Sequence, residues 1–503
     1  MALAIVYCRA SSGIHAPLIT VEVHLSYGHP GFRIVGLPET AVKESKDRVR
    51  SALMNTHFEY PIRHITVNLA PAELPKEGAR FDLAIALGIL AASEQLPKEK
   101  LLMHEFYGEL ALSGELRPMK GVLPVVLAAT HAGKQPIVPY QNSHEASLVE
   151  KANVLCANHL LEVCAYLQHD TPLLPCVSSA VLEKKPTLNL ADVKGQPHAK
   201  RALEVAAAGQ HSLMLMGPPG TGKTMLANRL TSLLPELSEE EALEIAAVAS
   251  VSMNGFDSAT WRQIPFRAPH HTSSAAALVG GGRPPRPGEI SLAHRGVLLL
   301  DELPEYHRHV LESLREPLEF GSITISRAAF QTTFPAKFQF LATMNPCPCG
   351  YASSSEEECR CSPEQVKRYL AKISGPLLDR IDMHVEVARL PADVLTKANM
   401  VKEEDSQTVR ERVMQSRAYQ YERQGKCNAA LTASEIESKI VLEGSAIALL
   451  NQVMTRFNLS ARVYHRIIKL ARTLADLDAC QDVAESHISE AISYRCLDRR
   501  RGG

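Results

Sequence analysis

At residues 217–224 the chain reads Gly217-Pro218-Pro219-Gly220-Thr221-Gly222-Lys223-Thr224, which fills every fixed position of an eight-residue phosphate-binding loop. The glycines let backbone N–H groups converge on phosphate oxygens at the positive end of the helix that follows. Lys223 is expected to reach the β- and γ-phosphates of ATP, and Thr224 to ligate Mg2+. The flanking text supplies the context the motif needs, a strand over Ser212–Met216 and a helix over Met225–Leu234.

Two further strands end in complementary chemistry. Gly296-Val-Leu-Leu-Leu-Asp-Glu302 is an apolar run closed by two carboxylates. Asp301 is placed to hold Mg2+ and Glu302 to polarise an attacking water. Phe338-Gln-Phe-Leu-Ala-Thr-Met-Asn345 ends in a lone carboxamide, placed to orient that water against the γ-phosphate. Three strand ends in this order predict an ATPase core.

Residues from about Leu190 to Asp498 resemble an AAA+ module of the magnesium-chelatase-like type, and the whole chain resembles the bacterial YifB/ComM family, the competence-associated ATPases. That likeness implies an α/β fold with an AAA+ P-loop core and a C-terminal helical lid, preceded by a ribosomal-S5/Lon-like α/β domain. It makes Lys223 and Thr224 Walker A, Asp301 and Glu302 Walker B, and Asn345 sensor 1. Arg380, in Gly375-Pro-Leu-Leu-Asp-Arg-Ile-Asp382, matches the arginine finger, and Arg462, in Leu459-Ser-Ala-Arg462, matches sensor 2. Phosphoryl transfer needs positive charge on the departing γ-phosphoryl group, which an arginine supplies with bidentate geometry. The plainer reading of Arg380 is a surface ion pair with Asp379 or Asp382. For Arg462, the nearby Arg456, Arg466 and Arg472 are rivals that spacing separates poorly. In AAA+ rings the finger enters the neighbouring subunit's site, which implies a homo-oligomer, most often a hexamer.

Between the loop and Asp301 lie Phe266-Arg-Ala-Pro-His-His-Thr272 and Gly280-Gly-Gly-Arg-Pro-Pro-Arg-Pro-Gly288, which exclude a helix or a central strand. Arg267, Arg283 and Arg286 stand there with little acid nearby in sequence. Gly321–Phe330, running into Gln331–Phe340, reads as a hairpin with Arg327 near its tip. The pair resembles the helix-2 insert and pre-sensor-1 hairpin of chelatase-type and minichromosome-maintenance-type proteins. A basic tip facing a central channel follows a phosphate backbone without reading sequence. The resemblance therefore implies single-stranded or branched DNA as partner, with branch migration during recombination of incoming DNA as the task. Magnesium-chelatase-like work, or remodelling of proteins, is the alternative.

Residues 1–170 mix strands (Ile19–Leu25, Ile62–Leu69) with helices (Ala41–Asn55, Phe81–Glu94). Leu69–Asp82 and Gly108–Pro118 resemble the Lon protease domain. Where that family carries its serine, Gly78 is followed by Ala79 and Arg80, and Leu123 falls where its lysine belongs, with Lys120 out of register. A Ser–Lys dyad needs both members, so the domain is expected to be non-proteolytic. Residues 171–189 read as a Pro- and Ser-containing linker, 190–390 as the ATPase core, and 391–503 as a helical lid without strands.

The formal net charge is −1, so a nucleic-acid surface has to be local rather than global. The longest strongly apolar stretch, Leu83–Ala92, is half of what a membrane helix needs and is expected to be a buried helix. No signal peptide or disulfide framework is expected from the start of the chain or its eleven cysteines, and the cytoplasm is the expected compartment. Cys347, Cys349, Cys359 and Cys361 alone cluster, as two close pairs suited to a structural Zn2+. Their one-residue spacers are tighter than usual, and a redox pair or free thiols are the other readings.

Overall fold

The computed structural model describes residues 3–176, 188–327, 330–352, 359–390 and 403–497. Two sheets organise it. The first has eight strands in the order Leu174–Pro175, Leu155–Ala157, Gln135–Pro139, His104–Phe106, Leu3–Arg9, Leu18–Ser26, His64–Ala70 and Gly31–Val35. Val21 and Val23 point to its buried face, against the helix Asp82–Ala92. Every residue of that helix is buried, because it is apolar all round and small where it meets the sheet. At Gly88 a Cβ would lie 2.5 Å from Val23 Cγ2. Its first residue, Asp82, is neutralised by Arg48 Nε at 2.7 Å.

The second sheet has five parallel strands, ordered Phe266–Arg267, Val297–Leu300, Gln339–Met344, Leu213–Met216 and Met383–Glu386. Alternation divides its side chains between two cores. Leu213, Leu215, Leu299 and Leu341 join the helices Pro197–Gly209 and Lys223–Leu233 and the lid helix Ala461–Leu477. Met214, Met216, Leu298, Leu300, Phe340 and Ala342 pack on the opposite side, with Ile323, Ile325 and Phe334 of the hairpin. After residue 403 the described elements are helices, with one isolated bridge to the rest, Arg495 to His384, and one within the region, Leu442 to Val483.

Several boundaries differ from the sequence reading, each for a local reason. The helix expected over Ala41–Asn55 is broken at Glu44 into Thr40–Lys43 and Ser45–Asn55. The hairpin is Ser322–Arg327 paired with Phe330–Pro335, and Gln339–Met344 leaves it to become a central strand of the parallel sheet. Of the expected linker, Leu174–Pro175 pairs with Leu155–Cys156, and Cys176 forms a disulfide with Cys156, contrary to the expectation of unpaired cysteines. Spacing alone could not bring together two cysteines 20 residues apart. Residues 177–187 and 391–402 lie outside the described residues.

One contact holds lid, first strand and last strand together. Buried Asp382 accepts from Ser212 N and Ser212 Oγ, both at 2.9 Å, and is paired with Arg466 of the lid. Burial alone would raise its pKa, but Arg466, the nearby His211 ring and Ser212 outweigh it and hold the carboxyl well below its usual range. Stability of this origin is present above the unfolded-state pKa of about 3.9 and is lost as pH falls below it toward the depressed folded value. Asp382→Asn is therefore expected to cost about 3 kcal/mol or more at pH 7, since it leaves Arg466 without its charge partner. Urea unfolding at a series of pH values checks this: the gap between variant and wild type should narrow below about pH 4.

Candidate nucleotide site

The phosphate loop leaves the sheet between two neighbouring strands. At Gly217 a Cβ would lie 2.2 Å from the Val387 carbonyl oxygen, so only glycine passes. Gly220 and Gly222 have φ of 76° and 85°, and a Cβ on either would meet nothing within 4 Å. Left-handed glycines over open space are what a phosphate cradle requires. Lys223 begins the helix Lys223–Leu233, and its Nζ donates to Gly217 O and Pro218 O, both at 2.8 Å, and to Asn345 Oδ1 at 3.1 Å. Burial lowers its pKa, against the opposing pull of Asp301 and Glu302.

The carboxylates arrive on the end of Val297–Leu300, one strand beyond Gln339–Met344. Thr224 Oγ1 donates to Asp301 Oδ2 at 3.0 Å, and Thr343 Oγ1 donates to Asp301 Oδ1. Thr343 Oγ1 also accepts from Glu302 N at 3.2 Å. Glu302 takes a left-handed conformation, φ 56°, that turns its exposed side chain out of the strand. Its Oε2 stands 3.4 Å from His271 Nδ1, and the His270 and His271 rings lie 4.1 Å apart. A hydroxyl-bearing residue, an ammonium, two carboxylates and a carboxamide thus converge within one strand-end layer, a donor set that fits Mg2+ and phosphate oxygens.

Sequence reasoning did not assign Thr343 or His271. Thr343 carries a signal, a hydroxyl inside an apolar strand two residues before Asn345. His271 carried none beyond its place in the quoted His-His pair, because its partner is 31 residues away.

Arg380 and Arg462 are not at this edge. Arg380 precedes the strand Met383–Glu386, and its backbone oxygen accepts from Ser212 Oγ at 3.2 Å. Ser212 and the phosphate loop are separated by the full length of one strand, about 16 Å. Arg380 pairs with Glu319, not with Asp379 or Asp382, and its Nη1 donates to Pro376 O at 2.9 Å. Arg462 is exposed and feels the same Glu319 carboxylate. Its rivals are taken: Arg466 by Asp382, Arg472 by Asp476 at 2.8 Å, and Arg456 over the Phe457 ring at 5.7 Å. Arg380, Arg462, Arg466, Lys469 and Glu319 line one cleft of about 1520 Å³.

The insert corrects one expectation. Arg267 is not far from acid: Glu289 binds its guanidinium bidentately, at 2.6 and 2.8 Å. It lies on the edge strand of the parallel sheet, and a short helix, Ala275–Val279, separates the two stretches quoted above. Arg283 is exposed and Arg286 half-buried, and both act electrostatically on Glu77 of the first domain. Burial, then Glu39, raises Glu77 to about 7 against these arginines. Arg327 ends its strand opposite Phe330, and its side chain lies outside what is described. In the first domain Arg80 donates to Lys120 O at 3.3 Å, Lys120 donates to Met253 O at 2.5 Å, and Leu123 is buried.

Cys347, Cys349, Cys359 and Cys361 converge just past Asn345, with all four sulfurs within 4.8 Å of one another. No described helix is long and apolar enough to cross a membrane.

Comparison with known proteins follows the same divisions. A family model described as magnesium chelatase, subunit ChlI, matches residues 189–395; one described as subunit ChlI of Mg-chelatase matches 21–142; and the ChlI C-terminal model matches 403–495. The competence protein ComM of Haemophilus influenzae is 53% identical over 99% of this chain and 98% of its own length. YifB of Escherichia coli is 49% identical over 99% and 98%. The 67 kDa magnesium-chelatase subunit of Heliobacterium mobile is 28% identical over 40% of this chain and 31% of its own. Likeness of this extent to ComM and YifB, together with the magnesium-chelatase family match over the parallel-sheet region, makes the chain a member of the ComM/YifB family of magnesium-chelatase-like AAA+ proteins.

Proposed function

We propose that the chain is an ATP-hydrolysing ring motor acting on single-stranded or branched DNA in the cytoplasm. Its task is that of a helicase or branch-migration factor in recombination of incoming DNA during natural transformation. The observation that carries this reading is the division of the hydrolytic set between opposite edges of one sheet. Lys223, Asp301, Glu302 and Asn345 share one edge, while Arg380 and Arg462 share a cleft at the other. Two copies stacked edge to edge complete what one copy lacks, and a closed ring, most simply a hexamer, repeats that contact without leaving an unmatched surface.

Within such a ring Lys223 binds the β- and γ-phosphates, giving up its loop carbonyls. Thr224 and Asp301 hold the Mg2+, which when bound neutralises charge on those phosphates. Glu302 polarises the water and Asn345 orients it. Arg380 and Arg462 of the neighbour stabilise the departing phosphoryl group once Arg380 exchanges Glu319 for phosphate. Arg283, Arg286 and Arg327 contact DNA phosphates, and Cys347, Cys349, Cys359 and Cys361 hold a structural Zn2+. The first domain is non-proteolytic, since Arg80 and Leu123 stand where a serine and a lysine would be needed. Chelatase-like work is favoured by the three ChlI matches, but the likeness to ComM is 53% over 99% of the chain, against 28% over 40% for the 67 kDa magnesium-chelatase subunit.

Glu302→Gln should keep ATP affinity and lose about 100-fold or more of its hydrolysis, trapping an ATP-bound assembly. Nucleotide titration beside steady-state turnover checks both, and wild-type turnover would remove Glu302 from the site.

Arg380→Ala should abolish hydrolysis and leave ATP binding intact. Doped into wild-type rings, it should depress activity faster than its own fraction; a strictly proportional fall would argue that Arg380 acts alone or not at all.

The DNA reading rests on Arg327→Ala. Binding of branched DNA should weaken across all sequences with a shallower salt dependence, and DNA-stimulated turnover should fall while basal turnover survives. Unchanged affinity, salt slope and strand movement would return the weight to a chelatase-like role.

A further inference from the structure

The cysteine cluster does more than close a loop. Asn345 ends its strand, and only Pro346 separates it from Cys347, which is fully buried. The chain then turns sharply: Gly350 N donates to Cys347 O at 3.0 Å, and Gly350 takes φ 91°. That turn brings Gly350 onto the phosphate loop. A Cβ at Gly350 would lie 2.6 Å from Pro219 Cδ and 3.2 Å from Pro219 Cγ, so the Gly350 backbone lies against the Pro219 ring with no room for a side chain. The same segment therefore reaches the loop twice, through Gly350 on Pro219 and through Asn345 Oδ1 on the Lys223 ammonium at 3.1 Å.

Four sulfurs have to be gathered to hold this turn. Cys347 Sγ lies 3.3 Å from Cys349 Sγ and 3.9 Å from Cys359 Sγ, and Cys349 Sγ lies 3.7 Å from Cys359 Sγ. A tetrahedral zinc with bonds of about 2.3 Å places its sulfurs about 3.8 Å apart. Cys347 is the one buried member and the other three are half-buried, so apolar burial does not account for the convergence. Metal bonding does, and it is strong enough to impose a backbone conformation on a short segment that has no core of its own.

We propose that the metal-loaded cysteine knuckle is a working wall of the nucleotide site: by pressing Gly350 on Pro219 and fixing Asn345, it sets the phosphate loop in its binding conformation, so nucleotide affinity depends on zinc. This rests on the reading of the four cysteines as a zinc site. Gly350 is a positioning residue in this account, and it acts through Pro219 without touching nucleotide.

The test uses the full chain, purified without chelator, with zinc measured by elemental analysis and affinity by titration of a fluorescent ATP analogue with Mg2+. About one zinc per chain is expected. Stripping the zinc should weaken nucleotide binding about tenfold or more, with recovery on adding back one equivalent of Zn2+. Gly350→Ala should keep its zinc and show a comparable loss, because the added methyl displaces Pro219. Cys480→Ser, at an exposed cysteine outside the cluster, should match wild type in both measurements. A preparation that carries no zinc overturns the metal reading and the wall with it. Zinc present but removable at constant affinity, or Gly350→Ala with full zinc and wild-type affinity, overturns the wall alone. If zinc removal unfolds the protein, the Gly350→Ala measurement decides.

Discussion

Asp382 keeps its negative charge where water hardly reaches, and three separate parts of the chain are held in place by the groups that keep it there. Ser212, at the foot of the strand leading to the phosphate loop, gives it two hydrogen bonds. Arg466 brings the lid helix to it, and His211, in the segment before that strand, ties the lid again through Thr473 at 2.7 Å. Arg380 lies two residues before Asp382, so its position is set by the contact that sets the lid's. An uncompensated carboxylate in this position would be costly, which makes the arrangement close to all-or-none. Lid, first strand and the turn that carries Arg380 are thereby a single mechanical unit. Anything that turns the lid against the sheet has to break or carry with it the network that places Arg380.

At the opposite edge the interactions are short-range and exchangeable. Lys223 is satisfied by two carbonyls of its own loop and one carboxamide, all neutral acceptors that a phosphate outcompetes. Asp301 is held by two hydroxyls, one from the helix Lys223–Leu233 and one from the strand Gln339–Met344, which orient it without cancelling its charge. The site is thus built from weak, correctly aimed contacts on a rigid sheet. The edge that carries Arg380 is built instead from a strong ion pair, Arg380 with Glu319. Glu319 lies in the helix Arg315–Phe320, which leads through Gly321 into the strand Ser322–Arg327, so the residue paired with Arg380 stands on the element just before the one that carries Arg327.

What could be read from the sequence divides along the same line. The convergence of the loop 217–224, Asp301, Glu302 and Asn345 was legible because each stands in a few contiguous residues at the end of an apolar strand. The buried helix Asp82–Ala92 was legible because eleven residues without a polar stripe have only one place to go. Arg267 was misread because its partner, Glu289, lies across a turn 22 residues on. The ion pair of Arg380 with Glu319 bridges 61 residues, and the one between Arg466 and Asp382 bridges 84. Neither leaves a local trace. The Cys156–Cys176 link was hidden because a strand of two residues, too short for any alternation to show, sets its register. Among the arginines near Arg462, sequence offered four equivalent residues; the fold pairs Arg472 with Asp476 and sets Arg456 over Phe457, and of the two that line the cleft, Arg462 and Arg466, it is Arg466 that Asp382 holds.

The helix Glu239–Ser250 belongs by sequence to the ATPase and by packing to the first domain. Ala242, Ala246 and Ala247, with Trp261, lie in the same apolar cluster as the eight-stranded sheet, while Gly121 N donates to Ser250 O at 3.1 Å. The boundary an engineer would choose from the sequence, near residue 189, therefore cuts the covalent chain but not the core. A fragment beginning there would carry an apolar helix face stripped of its cover, and the complementary fragment would lack one wall of its own interior. The two domains are better regarded as partners in a permanent marriage than as beads on a string. Gene fusions and deletions that exchange the first domain have to bring a matching helix with them.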